Sequence, residues 1–545
     1  MKIRFKRPVL LLSLLTLAVT AQAQSGGLST AMLTGLFAVA LLILLVVIIL
    51  VSDIFMGEEA RKVGADKTGE NYTLFPNLSE ITKPRDIGYA KGEFVTRLKR
   101  GHDIRLEGEA QKVLGNARVN TVAISPRDFI GMSPIPKVLV EKDDEIKAGD
   151  ILFFDKKRPT IKYASPVSGQ VVDVLRGEKR AIDKIVILAD KEQQYTERTV
   201  PKLNDFNSRE DLVNYLTESG VWAFIRQRPF ELVADPTDVP RDIFISTFDS
   251  APLAPDTDFA LKNKATAFQR GLDVLNKLTE GKVHLGLNAS GENPPSLTFT
   301  RAQNVEKHWF NGPHPAGNVG VQIHHIAPIN KGDVVWVVNP QDVAIIGNLF
   351  VNGQYRAERT IAVTGAEVRE PKYYTLPVGA SVENILKNNI KTENKTRTVA
   401  GDVLTGTKIA NDGYLGFFDD QITVLHENDE YELFGWMNPV AVRPSVSSTF
   451  PGSTFKDITY QAETNTHGEP RALVVTGQYE SVLPMDVYPQ HLIKAILAND
   501  FERMEGLGIY ELAPEDVALC EFACTSKTNV QNILRQGLDT VREQG

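Results

Sequence analysis

The spacing of apolar positions changes along the chain, and each change marks a part. Lys2, Arg4, Lys6 and Arg7 precede an apolar run from Val9 to Val19, then the small-residue stretch Ala21-Gln22-Ala23. That order over residues 1–24 is a signal-peptide pattern. A second apolar run extends from Ala31 to Val51, and no charged side chain stands between Arg7 and Asp53. Its length predicts a transmembrane helix over 31–52. Residues 53–93 are polar and mixed in charge, and read as a linker.

From Phe94 the pattern shortens to alternation. Between Val138 and Val172 it makes two quasi-symmetric sets of short strands. Val140, Ile146 and Leu152 are the apolar positions of the first; Ile161, Tyr163, Val167, Val171 and Val172 those of the second. Turns fall at Asp143-Asp144, Gly149-Asp150, Pro166 and Ser168-Gly169. Short strands punctuated this way predict a small sandwich or barrel over 94–195, with Phe94 to Ile104 offering its first strand. The order of strands and turns resembles the biotinyl/lipoyl barrel-sandwich hybrid. That fold carries a modified lysine on its central hairpin. Here the hairpin reads Asp155-Lys156-Lys157-Arg158-Pro159, without the small or Met neighbours of carrier lysines. Lys156 and Lys157 are therefore docking candidates for an acidic partner or an anionic lipid surface, set against a plain solvated turn.

Residues 200–358 alternate helix and strand signals. Arg209 to Ser219 and Phe268 to Leu278 have helical spacing. Asp242 to Thr247, Val283 to Leu287 and Val334 to Val338 are apolar runs of the buried-strand kind. This predicts a Rossmann-like α/β domain. Neither the Gly-x-Gly-x-x-Gly fingerprint nor a P-loop word is present. Residues 359–435 give strand, turn, strand, a short helix after Pro377-Val378-Gly379 and further strands, a β-grasp order. Residues 436–545 end in helical stripes at Ile493, Ile496 and Leu497 and at Val530, Ile533, Leu534, Leu538 and Val541. The fold class expected is α/β multidomain with a helical C-terminal region.

Composition narrows the chemistry. The 545 residues allow roughly three to five domains. A formal net charge of -8, with no Lys/Arg stripe, argues against nucleic acid as a partner. Cys520 and Cys524, the two cysteines, are too few for a four-cysteine cluster and read as free buried thiols. His324-His325 falls in a strand-like run, which would send the two rings to opposite faces. No metal or cofactor ligand set is assigned.

Six separated words carry a wider resemblance. They are Gly131-Met132-Ser133-Pro134, Asp155-Lys156-Lys157, Arg176 to Arg180, Phe310 to Gly317, Asn339 to Val343, and Ala513 to Phe522. In this order, over residues 94 to 545, they resemble the alpha-subunit family of the sodium-translocating NADH:quinone oxidoreductases. Thr364 to Val368 and Leu376 to Ala380 are similar to the soluble-ligand-binding (SLBB-like) β-grasp domain of related flavin and iron–sulfur proteins. The flavin loop and the cluster cysteines of those relatives are not visible here. The resemblance implies a cofactor-free component of a respiratory pump. NADH, FMN/FAD, riboflavin, iron–sulfur and Na⁺ sites would lie on partner subunits B to F, and ubiquinone or menaquinone would be reduced. The family usually begins near the barrel, so the N-terminal extension departs from its pattern.

Within the fourth word, Gly312-Pro313-His314-Pro315-Ala316-Gly317 is the quinone-proximal candidate. Pro313 and Pro315 fix φ around His314, and Gly312 and Gly317 permit unusual turns. A rigid loop would present one imidazole to a quinone oxygen, or the histidine would cap the turn's backbone. The basic N-terminus and the second apolar run together place the body on the cytoplasmic side of a bacterial inner membrane. The alternative is a periplasmic adaptor of an efflux system, which also joins an anchor to a lipoyl-like barrel. Against it, no long heptad hairpin interrupts Asp155 to Pro159.

Overall fold

A computed structural model describes residues 39–44, 48, 88–90, 92–391, 393–430, 443–446 and 458–544. The signal-peptide reading of 1–24 lies outside them, as does nearly all of the 53–93 linker. Of the 31–52 segment, residues 39–44 and 48 are described and helical. Among the described residues no helix is long and apolar enough to cross a membrane. The chain divides into two compact units, Met1–Gly88 and Tyr89–Gly545, and every element below belongs to the second.

The unit opens with an arm that corrects the expected start of the barrel. β1 (Val95–Arg97) pairs in parallel with a strand of the α/β domain, Val95 opposite Trp309. β2 (Gln111–Gly115) pairs in parallel with the β-grasp sheet. The burial pattern explains the first placement. Leu98, Ile104 and Leu106 are buried in a core shared with Phe244 and Phe310, not with the barrel.

The barrel's own strands are β3 (Thr121–Ile124), β4 (Lys137–Val138), β5 (Glu145–Ile146), β6 (Ile151–Asp155), β7 (Arg158–Ala164), β8 (Gly169–Arg176) and β9 (Ile182–Ala189). They form a four-stranded sheet, β3-β9-β8-β5, and a three-stranded sheet, β4-β6-β7. On the three-stranded sheet Phe153 stacks on Tyr163 with centroids 4.8 Å apart, and Phe129 lies 4.4 Å from Tyr163. The expected sandwich is therefore present, with Ile146, Leu152, Ile161, Tyr163, Val167 and Val171 buried, whereas Val172 is exposed.

The α/β domain adds β10 (Arg226–Arg228), β11 (Leu232–Val233), β12 (Ile243–Ser246), β13 (Val283–Asn288), β14 (Glu306–Asn311) and β15 (Val335–Val337). Its helices are α1 (Arg209–Ser219), α2 (Thr257–Ala260), α3 (Ala265–Asn276), α4 (Leu297–Thr300), α5 (Val319–Ile326) and α6 (Pro340–Asn352). Ser208 starts α1 by accepting from Asp211 N–H at 3.1 Å, and Gly220, at φ 84°, ends it. The sheet order is β1-β14-β13-β12-β15-β10-β11. The strand β12 has parallel neighbours on both sides, β13 and β15, so the chain reverses its direction of travel there. Such a switch point leaves a crevice at the carboxyl ends of the strands.

The β-grasp domain has β16 (Glu358–Thr364), β17 (Lys372–Pro377), α7 (Glu383–Leu386), β18 (Thr396–Ala400), β19 (Thr407–Ile409) and β20 (Gln421–His426), as the sequence order predicts. The C-terminal helices are α8 (Gln478–Val482), α9 (Pro489–Leu497), α10 (Phe501–Gly506), α11 (Ala518–Ala523) and α12 (Val530–Gln544). Their stripes, including Leu492, Ile496, Leu534 and Leu538, share one core with Phe244, Val321 and Val335 of the α/β domain.

The pair His324-His325 sits in helix α5, not in a strand. The apolar run around it follows the spacing of a buried helix, which a short window does not separate from a buried strand. His324 Nδ1 meets Glu511 at 2.7 Å and His325 Nε2 meets the Pro484 carbonyl at 2.8 Å, so both rings tie α5 to the C-terminal region.

Candidate functional site

The loop after β14 holds every quinone-proximal residue named from sequence. It is stapled to its surroundings at each step. Gly312 N–H donates to Ser290 Oγ at 3.2 Å, and His314 N–H to Asp103 Oδ1 at 2.8 Å. The His314 carbonyl accepts from His102 N–H at 2.9 Å. Gly317 N–H donates to Ser250 Oγ at 2.8 Å, and its carbonyl accepts from Ser246 Oγ, also at 2.8 Å. Gln322, buried on α5, donates to both Ser246 Oγ and the Ala316 carbonyl.

The glycines are needed for close approach rather than for unusual backbone angles. A Cβ on Gly312 would stand 2.7 Å from Leu98 Cβ, and one on Gly317 would stand 2.5 Å from Ser250 N. The two prolines close the turn between them, and the His314–Pro315 peptide is cis.

His314 points inward and is 3% exposed. Its Nδ1 lies 3.1 Å from Ser250 Oγ, and its Nε2 is buried with no hydrogen-bond partner. Burial pushes the imidazole down to about 4, with Asp103 opposing, so the ring is neutral at physiological pH. The loop therefore encloses its imidazole.

Two sets of buried charges lie near this loop. The word Asn339 to Val343 forms the start of α6, where Asn339 caps Gln341 N–H at 2.9 Å. Gln341 exchanges two hydrogen bonds with the Thr360 backbone. Asp342 pairs with Arg359 at 2.6 Å, both side chains 2% exposed. Burial pushes the Asp342 carboxyl up to about 6, against the Arg359 charge. Arg359 also donates to the Phe418 carbonyl. The word Ala513 to Phe522 supplies Asp516, which accepts from Arg228 at 2.7 Å, while Glu515 takes the other arm of the guanidinium. Asn318 Nδ2 donates to the Glu515 carbonyl at 3.0 Å and ties this turn to the 312–317 loop.

A cavity of about 110 Å³ lies where barrel, α/β and β-grasp domains meet, lined by Asp128, Phe129, Arg226, Glu231 and Phe418 among others. Ligand pockets usually start near roughly 300 Å³, so this one admits waters rather than a flavin or quinone ring.

Lys156 and Lys157 lie elsewhere, exposed at the turn between β6 and β7. Buried Asp155 shapes the turn by accepting from Lys157 N–H at 3.1 Å. Arg158 anchors the hairpin by donating to the Val233 carbonyl at 2.9 Å. Cys520 and Cys524 are free and buried. Helix α11 ends at Ala523, yet both sulfurs meet Tyr479: Cys520 Sγ lies 3.8 Å from its carbonyl, and its hydroxyl lies 3.0 Å from Cys524 Sγ.

Arg228, Ser250, Arg359 and Asp516 escaped the sequence reading as site residues. Asp516 stood inside one of the six words, but nothing in the linear pattern joins Arg228 to a carboxylate 288 residues away.

Comparison with known proteins agrees with this architecture. The NqrA N-terminal barrel-sandwich hybrid domain matches residues 96–190, the NqrA second alpha/beta domain residues 207–355, and the NQRA C-terminal domain residues 360–411. The NqrA chain of the Na(+)-translocating NADH-quinone reductase of Vibrio atlanticus (strain LGP32) is 36% identical over 452 residues, covering 82% of this chain and 99% of that protein. Its counterpart in Yersinia pseudotuberculosis serotype O:1b (strain IP 31758) is 36% identical over 453 residues, covering 82% and 100%. A likeness to a solved NAD+-reducing [NiFe]-hydrogenase, at TM-score 0.32 and 12% identity over 65% of this chain and 67% of that one, is too low to bear on fold or chemistry. Three domain models in the right order and a match along whole relatives place the chain in one family: it belongs to the NqrA subunits of the Na(+)-translocating NADH-quinone reductases.

Proposed function

We propose that the chain serves as the NqrA component of a respiratory sodium pump that oxidises NADH, reduces ubiquinone or menaquinone and exports Na⁺. The observation that carries this is the 36% identity along 99% of a relative bearing that name. In this proposal the chain holds no redox cofactor. NADH, FMN/FAD, riboflavin, iron–sulfur and Na⁺ sites belong to partner subunits B to F, and this chain braces the quinone-reducing end. The two cysteines support that division, since Cys520 and Cys524 are free and buried and too few for a four-cysteine cluster. The 31–52 segment anchors the body to the cytoplasmic face of the inner membrane. Its exposed Val39, Leu41, Leu42 and Leu44 support that anchor. The efflux-adaptor alternative is not favoured, because the barrel hairpin is a plain turn at Lys156-Lys157.

Purification through a C-terminal tag tests the assignment. The expected result is a coloured complex with Na⁺-stimulated NADH:quinone activity, from which the released chain separates colourless. A lone chain without such partners, or flavin bound to it in stoichiometric amount, overturns it.

The 312–317 loop is the quinone-proximal element of this proposal, supported by a neutral, buried imidazole with an unpartnered Nε2. His314→Gln in the assembled complex is expected to raise the quinone KM while NADH oxidation by an artificial acceptor stays constant. An unchanged quinone KM removes the loop from that role.

A further inference from the structure

Where β13 and β14 begin, at the other end of these strands from the 312–317 loop, three metal-ligating side chains converge. His284 on β13 stands directly across from Glu306 on β14, and His308 follows two residues on, across from Gly286. Residues so placed share one face of the sheet. His284 Nδ1 lies 2.9 Å from His308 Nε2 and 3.7 Å from Glu306 Oε2. All three groups offer a ligand atom within 4.8 Å of the others. Donors held about 2.1 Å from a tetrahedral cation stand about 3.4 Å apart, and the two observed separations bracket that value.

The surroundings are built to orient His284. Its side chain is 7% exposed, and its ring stacks on Phe244 with centroids 4.7 Å apart. Its other nitrogen, Nε2, lies 3.4 Å from Asp242 Oδ1. Asp242 is itself fixed by Arg241 Nε at 3.1 Å and by Lys282 N–H at 3.1 Å. A carboxylate behind a ligating histidine is the usual outer partner of such sites. His308 and Glu306 lie toward solvent, which gives a cation an entry path. The Lys282–Glu306 ion pair there is exposed on both sides, and such pairs are readily exchanged.

We propose that His284, Glu306 and His308 form a site for one divalent transition cation of the zinc class, with a fourth position left to water. Two imidazoles and one carboxylate suit zinc, cobalt or nickel; sodium, calcium and magnesium take oxygen donors. The cation would cross-link β13 to β14 at the end of the sheet away from the 312–317 loop. Linear spacing hides the set, because His284 lies 24 residues from His308 and only strand pairing unites them.

The test uses the full chain in detergent, stripped with a chelator and titrated with Zn²⁺ alone, then with Co²⁺. One equivalent of Zn²⁺ is expected to bind, and Co²⁺ is expected to give visible bands of a four- or five-coordinate site. Glu306→Gln and His308→Asn, at the open side, should keep the wild-type far-UV circular dichroism and each weaken Zn²⁺ at least about tenfold. Asp242→Asn should weaken it about 10- to 100-fold. Three results overturn the proposal. They are less than half an equivalent bound by the wild-type chain, affinity unchanged in both Glu306→Gln and His308→Asn, and loss of binding on Cys520→Ser instead.

Discussion

The Gly312–Gly317 loop and the Lys156-Lys157 turn both link secondary-structure elements, and both stand out in the sequence, yet they meet opposite environments. The first is pinned by Ser290, Asp103, His102, Ser250 and Ser246, and its histidine is shut in. The second is shaped only at its base, by Asp155 and Arg158, and its two lysines stand in solvent. The difference lies in what each turn closes. The loop caps a parallel sheet at the end where other segments arrive, so most of its backbone groups have a partner. The hairpin turns back on itself at the rim of a sandwich, is anchored at its base by Arg158 to the Val233 carbonyl, and leaves its tip in solvent. A functional word in sequence can thus mark a junction as readily as an exposed site.

The contrast is sharpest at Arg228, which holds the Glu515–Asp516 turn against the far end of the buried loop. Arg228→Met leaves the Asp516 carboxylate buried without its partner and should cost about 3–5 kcal/mol of stability. Urea denaturation reads this, and a midpoint within error of the parent would show the junction to be loose.

The His314 ring gives the next largest effect. Its folded value of about 4 lies below the roughly 6.5 of an unfolded histidine. As pH falls below about 6.5 the unfolded chain takes up a proton that the folded chain refuses. Stability contributed here is complete above that pH and is lost progressively down to about 4, by about 3 kcal/mol. The wild-type minus His314→Gln difference should show that acid limb. A flat difference between those pH values would mean that solvent reaches the ring.

The smallest effect belongs to the hairpin. Lys156→Ala and Lys157→Ala together should change stability by under about 0.5 kcal/mol. A docking role would show instead as weaker co-purification of partners at raised salt. Full assembly at every salt concentration leaves the turn as a plain solvated one.

Much of the fold is legible because local patterns and final structure agree. Alternation at Ile161, Tyr163 and Val171 marks the sandwich, and the helical spacing of Leu212, Tyr215 and Leu216 marks α1. What failed to show was set by partners far away in sequence. Phe94 to Ile104 has strand chemistry, but nothing local says that its partner is β14. His324-His325 has both a strand's and a buried helix's apolar neighbours, and only the C-terminal region decides between them. The candidate loop was visible as glycines and prolines around one histidine. Its enclosure was not, since Asp103, Ser250 and Glu515 come from three distant segments.

The arm of β1 and β2 imposes an order of events on a chain made from its N-terminus. The arm leaves the ribosome before the barrel, yet its strands join partners that end at Asn311 and Pro377. Until those are synthesised both short strands have only unpaired edges, while β3 to β9 already hold all the strands of the two barrel sheets. Pairings so far apart in sequence form slowly, so the barrel closes first and the arm seals two sheets last. Pulsed hydrogen exchange during refolding should find the β1 and β2 amides protected after those of β8 and β9. Cutting the chain just before the barrel would leave two finished sheets each short of an edge, a sticky pair of surfaces rather than a trimmed protein.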